Sequence, residues 1–244
     1  MTRTILMKDC KAQFHPTFSN SKLGGKEIHM MGISYLPGLD YLLFKNGEKV
    51  TDCKGTCTNC ADCINACYAV NSCKRFPNVT KNRVENTLQL RENIEQHFAD
   101  IYWTIKDNNI NVVRYTESGE IENINQFVHL YWLAMDLPTV KFYLYTKNYN
   151  VLREFFNNHV LPHNMVVLIS VWGKNGVAAW NEFKKYSNVK CFAVNSDLKV
   201  ACYCPAYRKD ENGKVYRVTD DRAKCGNCKL CFDSTAKIIG CYEH

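Results

Sequence analysis

Between Asn111 and Asn195 short apolar runs alternate with amphipathic ones, and this alternation limits the fold more than any other feature. "NVVRY", "VKFYLYT", "MVVLISVW" and "VKCFAVN" are strand-length runs rich in β-branched and aromatic residues. Between them, Ile124, Phe127, Val128, Tyr131 and Met135 recur at helical spacing, and "NVLREFFNNHV" and "GVAAWNEFKKY" read as helices. Strand–helix units of roughly 25 residues imply a parallel sheet, because a parallel crossover needs a dozen residues or more. Upstream, Val84, Leu88, Ile94, Phe98, Ile101 and Ile105 predict one long amphipathic helix over Asn82–Ile105, and "YLLFKNGEKVTDC" predicts an extended first strand. Five such units are too few for a complete eightfold barrel, which takes about 250 residues. The expected fold is therefore α/β, either a partial (β/α) barrel or an open parallel sheet.

Turn signals in "NSKLGGK" and "YLPGLD" mark residues 1–40 as an irregular N-terminal segment. Residues 41–198 form the expected α/β domain. The rhythm stops at "VACYCPAYRKDENGK", so residues 199–244 read as a small C-terminal module organised by cysteines.

Ligands of α/β sheets gather at the carboxyl ends of the strands. "TESGE", "YTKN", "GKNG" and "NSD" fall there, and the last two read as ordinary turns. Glu120 in the first is a candidate for binding a ligand amine, and Lys147 in the second for meeting a carboxylate or phosphate. His129, on the helix after the second strand, reads as structural. No Walker loop, G-x-G-x-x-G or H-E-x-x-H is present.

After the expected first strand comes "CKGTCTNCADCINACYA", with five of the chain's fourteen cysteines. A chain of 244 residues, 46% apolar or aromatic, can build its core without disulfides. "MTRTILMKDCKAQFHP" lacks an apolar signal region, and no run approaches the roughly eighteen apolar residues of a spanning helix. The expectation is a cytoplasmic protein with no membrane partner, in which clustered cysteines act as ligands or catalysts. Cys57, Cys60, Cys63 and Cys67 stand as C-x2-C-x2-C-x3-C, the ferredoxin spacing for iron–sulfur ligands. Cys53, Cys57 and Cys60 read instead as C-x3-C-x2-C, the spacing of radical S-adenosylmethionine (SAM) enzymes, where three cysteines leave one iron open. Cys57 and Cys60 belong to both. Cys225, Cys228 and Cys231 repeat C-x2-C-x2-C, and Cys204, followed by a proline, is the preferred fourth ligand over Cys202 and Cys241. Four-cysteine zinc sites are the competing assignment, with disulfides third. Cys10 and Cys191 stand alone and read as buried thiols.

The formal charge of +7 is spread along the chain without a basic run. It permits a nucleic-acid partner without requiring one, and Trp103, Tyr131 and Trp132 read as core residues rather than as a stacking platform.

In order along the chain, "NSKLGGK", "YLPG", "TDCKGTC", "ACYAV", "RVENTLQLRE", "VRYTESGEI", "FYLYTKNY", "CP" and "CGNCKLC" resemble the phage "gene product 88" family, from about Asn20 to Phe232. The layout is also similar to the radical SAM superfamily, with a cysteine loop after the first strand and "SGE" where those enzymes carry Gly-Gly-Glu. That resemblance implies that Ser118, Gly119 and Glu120 contact the amino group of SAM. The loop departs from the pattern at Asn59, where an aromatic usually precedes the third cysteine. The expected function is that of an iron–sulfur protein with one or two clusters, of 4Fe–4S type. It would be a radical SAM-like redox enzyme acting on a small-molecule or nucleic-acid-related substrate and served by an electron-donor protein. The alternatives are a non-catalytic electron carrier and a zinc-stabilised nucleic-acid-binding protein.

Overall fold

The computed structural model describes residues 5–7, 10–18, 20, 23–24, 29–38, 40–45, 48–57 and 63–243, with 5–7, 40–45 and 48–53 described by their strands alone. The N-terminal part contains strands β1 (Ile5–Met7), β2 (Met30–Ser34), β3 (Asp40–Lys45) and β4 (Glu48–Lys54). Helices α1 (Tyr68–Arg75), α2 (Pro77–Glu92) and α3 (Ile94–Asp107) follow. The alternating part runs β5 (Val112–Ser118), α4 (Ile124–Asp136), β6 (Lys141–Thr146), α5 (Tyr149–Asn158), β7 (Met165–Trp172), α6 (Val177–Phe183) and β8 (Val189–Val194). The C-terminal part holds β9 (Cys202–Tyr203), β10 (Tyr207–Lys209), β11 (Val215–Arg217), the one-turn helix α7 (Cys225–Cys228) and β12 (Ile238–Cys241).

Among the described residues, seven strands form one sheet in the order β2-β5-β6-β7-β8-β12-β9, with every pair parallel. From β2 to β8 the spatial order follows the chain order. Right-handed crossovers that always step in the same direction leave every connecting helix on one face. The packing shows this directly. Val113, Tyr115, Phe142, Leu144, Val167, Ile169, Cys191 and Ala193 pack with residues of α2 to α6 in the main core. The alternate residues, Tyr143, Val166, Leu168 and Ile239 among them, pack instead against Leu23 and the C-terminal Phe232, Cys225 and Cys231. The C-terminal cysteine segment thus covers the strand face that the helices leave bare.

Two sequence expectations change. The first strand of the parallel sheet is β2, inside the segment read as irregular; "MMGIS" is too short a run to stand out before Pro37 and Gly38. The extended segment 41–53 is instead part of β3 and β4, an antiparallel pair in a separate sheet of order β1-β3-β4. This pair is an excursion whose two ends meet: Thr56 N and Oγ1 both donate to Leu36 O, at 2.9 and 3.0 Å. A Cβ on Gly55 would lie 1.8 Å from Pro37 O, so only glycine allows that approach. The cysteine loop therefore still leaves from the carboxyl end of the sheet's first strand.

The long helix predicted over Asn82–Ile105 is two helices, α2 and α3, meeting at Asn93. Asn93 is non-helical (φ −152°, ψ 83°), and its Oδ1 accepts from Gln96 N at 3.0 Å, capping α3. The residues read as core aromatics are also corrected in part: Trp103 is 61% and Trp132 54% exposed, while Tyr131 packs against the main core. Cys10 and Cys191 are buried, as expected, and burial pushes the Cys191 thiol up to about 12. No helix among the described residues is long and apolar enough to cross a membrane.

Candidate functional site

The carboxyl ends of β5 to β8 open onto a cavity of about 220 Å³ on the strand face opposite the helices. Cys57, Cys63 and Cys67 line it from the N-terminal loop, and Cys204, Cys225, Cys228 and Cys231 from the C-terminal segment. Two cysteine sets from distant parts of the chain thus face a single space. Cys241 also lines it, whereas Cys202 is not among the lining residues. Cys60 lies outside the described residues, and Cys53 is described only as a member of β4, paired with Tyr41. Among the described residues no three histidine, cysteine or acidic side chains are grouped closely enough to hold a metal ion. Cys67, Cys225, Cys228 and Cys231 are unbridged thiols.

Local structure explains how each set reaches the cavity. A 3-10 turn over Ile64–Ala66 sits between Cys63 and Cys67, and Cys67 then precedes the first turn of α1. Further on, α7 carries Cys225 and Cys228, and Lys229 ends it in the left-handed region (φ 57°), turning the chain toward Cys231. Lys190, on β8, donates to Leu230 O at 3.0 Å and Ser234 O at 2.7 Å, fastening this segment to the sheet. Cys204 N donates to Gly240 O at 2.8 Å, fixing Cys204 beside β12. Burial pushes the Cys231 thiol up to about 12, against the opposing hydrogen bond donated by Tyr145 Oη at 3.0 Å. Burial likewise raises Cys67 and Cys228, favouring their neutral thiols, and a bound cation would draw them toward the thiolate.

Ser118, Gly119 and Glu120 all line the cavity, yet their side chains serve the scaffold. Ser118 Oγ donates to Tyr35 O at 2.9 Å, joining β5 to the end of β2. Gly119 has φ +82°, and a Cβ there would meet Thr56 Oγ1 at 2.5 Å and Tyr35 Cβ at 2.8 Å. Its lack of a side chain lets the cysteine loop, β2 and β5 converge. Glu120 Oε1 accepts from Ile121 N at 2.9 Å and Oε2 from Lys147 N at 2.7 Å, while Glu120 N donates to Thr56 Oγ1 at 2.7 Å. Burial pushes the Glu120 carboxyl up to about 7, opposed by the hydrogen bond from Lys147 N. Lys147 Nζ stands 5.3 Å over the Trp172 ring, at the same cavity.

The approach to this segment is distorted. The register with β2 shifts between Gly32 and Ser34, and Thr116 adopts φ +54°, a left-handed conformation that a β-branched residue rarely takes. Bulged strands re-aim side chains next to sites, and here Thr116, Glu117 and Ser118 in succession line the cavity. Arg114, Tyr143, Tyr145 and Trp172 also line it and were not singled out from the sequence. Their signal was available: in "NVVRYTES", "VKFYLYT" and "MVVLISVW" they occupy the alternate positions to the core-facing Val113, Tyr115, Phe142, Leu144 and Val171. His129 is not among the residues lining the cavity, and its Nδ1 donates to Asn125 O at 2.9 Å within α4.

Fold and site together define a singly wound parallel α/β protein whose strand face opposite α2 to α6 bears a cysteine-lined cavity. The family model described as Gene product 88 matches residues 10–234, and the chain belongs to this phage gene product family. No curated protein and no solved structure matches the chain.

Proposed function

We propose that this protein is an iron–sulfur enzyme whose cavity holds both the cluster-binding cysteines and the substrate, on a radical SAM-like plan. The observation that carries the reading is that Cys57, Cys63 and Cys67 from one cysteine cluster and Cys225, Cys228 and Cys231 from another line one cavity. A lining rich in thiols suits iron–sulfur clusters, whose ligands are cysteine thiolates. Cys57, Cys63 and Cys67, together with Cys53 and Cys60 of the same loop, would hold one cluster. Cys204, Cys225, Cys228 and Cys231 would hold a second. When bound, a cluster supplies an electron, or an open iron as a Lewis acid, to whatever occupies the cavity.

The radical SAM-like plan draws support from the order of parts. A cysteine loop is tied to the end of the first parallel strand, "SGE" ends the second, and the helices lie on one face. The Glu120 carboxylate accepts from Ile121 N, Lys147 N and the Thr146 side chain, which leaves one of its four lone pairs for a ligand amine. Lys147 and Trp172 bound the same space from β6 and β7.

Anaerobically purified protein is expected to absorb broadly near roughly 400 nm and to contain several iron and sulfide atoms per chain. Paired replacement of Cys57 and Cys63 by serine should remove one share of the iron, and of Cys225 and Cys228 the other. An EPR signal altered by added SAM supports the enzyme; a signal indifferent to it favours an electron carrier. A colourless protein with stoichiometric zinc overturns the proposal.

A further inference from the structure

Arg114 projects from the middle of β5 onto the cavity face and is only 4% exposed. Its Nε and Nη1 have no hydrogen-bond partner, and among the described residues it makes no ion pair. Its neighbour in register on β6, Tyr143, is fully buried and lines the same cavity, with a hydroxyl that is equally without a partner. The Tyr145 ring lies 5.1 Å from the guanidinium carbon and supports it without accepting a conventional hydrogen bond. Glu117, whose charge also acts on Arg114, accepts instead from Asn20 Nδ2 at 2.7 Å. Cys231, near enough to feel the Arg114 charge, takes its hydrogen bond from Tyr145.

A buried cation and buried donors without acceptors are costly, and native structures retain them where a ligand or catalytic role requires it. The guanidinium fork matches the two oxygens of a carboxylate or a phosphate. We propose that Arg114, assisted by the Tyr143 hydroxyl, anchors the oxyanion of a small carboxylate- or phosphate-bearing ligand in this cavity. Arg114 supplies the charge and a planar pair of donors, and Tyr143 a third donor from the adjacent strand. The site stands on these orphaned donors and not on the cysteine assignments, so it holds whether or not a cluster is present.

The test is calorimetric titration of the full chain, as isolated anaerobically, with inorganic phosphate and with acetate, backed by the fluorescence of Trp172 at the cavity. Saturable binding of either probe is expected, and the stronger one identifies the ligand's headgroup. Affinity should fall at least about tenfold in Arg114→Met and less in Tyr143→Phe, with Arg114→Lys intermediate because it keeps the charge but not the fork. Removing an unpaired buried cation should leave Arg114→Met at least as heat-stable as the parent without ligand. If that variant fails to fold, Tyr143→Phe and Arg114→Lys carry the test. Binding that is absent, or unchanged in the variants, overturns the proposal. So does binding seen only after metal is stripped from the protein, since the donors would then serve the metal centre. Iron and sulfide analysis of the same samples reports on the iron–sulfur reading independently.

Discussion

His97 lies inside a buried polar chain: its Nδ1 is 2.9 Å from Gln89 Oε1 and its Nε2 2.8 Å from the Tyr35 hydroxyl, itself 2.7 Å from that of Tyr115. An amide oxygen can only accept, so Nδ1 carries the proton of a neutral ring. Burial holds the imidazole at about 3, so below its ordinary 6.5 the unfolded chain binds a proton that the native state refuses. Stability is therefore lost as pH falls from 6.5 toward 3, by up to about 1.4 kcal/mol per pH unit. Glu120 works the other way. Its carboxyl is raised from 4.5 to about 7, so between these values the native state holds the extra proton and stability falls as pH rises. The two slopes oppose each other where the windows overlap, and each conceals the other in the parent protein. Urea unfolding across pH should show Glu120→Gln losing stability as pH drops below 6.5, and His97→Gln losing it as pH rises from 4.5 to 7. Variants that keep the parent's profile would show that neither residue titrates as described.

At the level of elements, α2 shows why part of the fold was hidden. Its buried face is mostly polar, with Thr80, Arg83, Glu85, Asn86, Thr87 and Gln89 buried beside Val84 and Leu90, so apolar periodicity finds it only from Asn82 on. These residues bind neighbouring backbone instead. Asn86 accepts from His15 N at 2.6 Å and donates to His15 O at 3.0 Å and Ser34 O at 2.9 Å. Asn86→Leu would leave these groups without partners and should cost about 2–4 kcal/mol in denaturant unfolding, loosening the N-terminal segment first. The strands β5 to β8 and helices α4 to α6 were legible because each buries one apolar face at its own period. The excursion of β3 and β4 was missed by reading the segment as one extended strand, although Asn-Gly at 46–47 between apolar runs is also a hairpin signal. Within the site, cysteine spacing singled out residues that line one cavity, whereas Arg114 and Tyr143 needed the register of β5 against β6.

Over the whole molecule, the cysteine-rich C-terminal segment is continuous with the sheet. β12 lies between β8 and β9, and Phe232 and Ile239 cover the strand face beside Tyr143, Val166 and Leu168. A chain ending at Asp197 would expose that face, and exposed apolar sheet surface promotes association. Such a truncation should bind a hydrophobic dye and elute as oligomers or aggregate in size-exclusion chromatography; a monodisperse, dye-silent product would show that the α/β part folds alone. The position of β12 also dictates timing. Its neighbours β8 and β9 are both synthesised before it; β8 can pair with β7 at once, but β9 must wait, because it reaches the sheet only through β12. During translation the N-terminal thiols emerge long before the strand that completes their enclosure, so the nascent chain passes through a stage in which those sulfurs face solvent without their opposite wall.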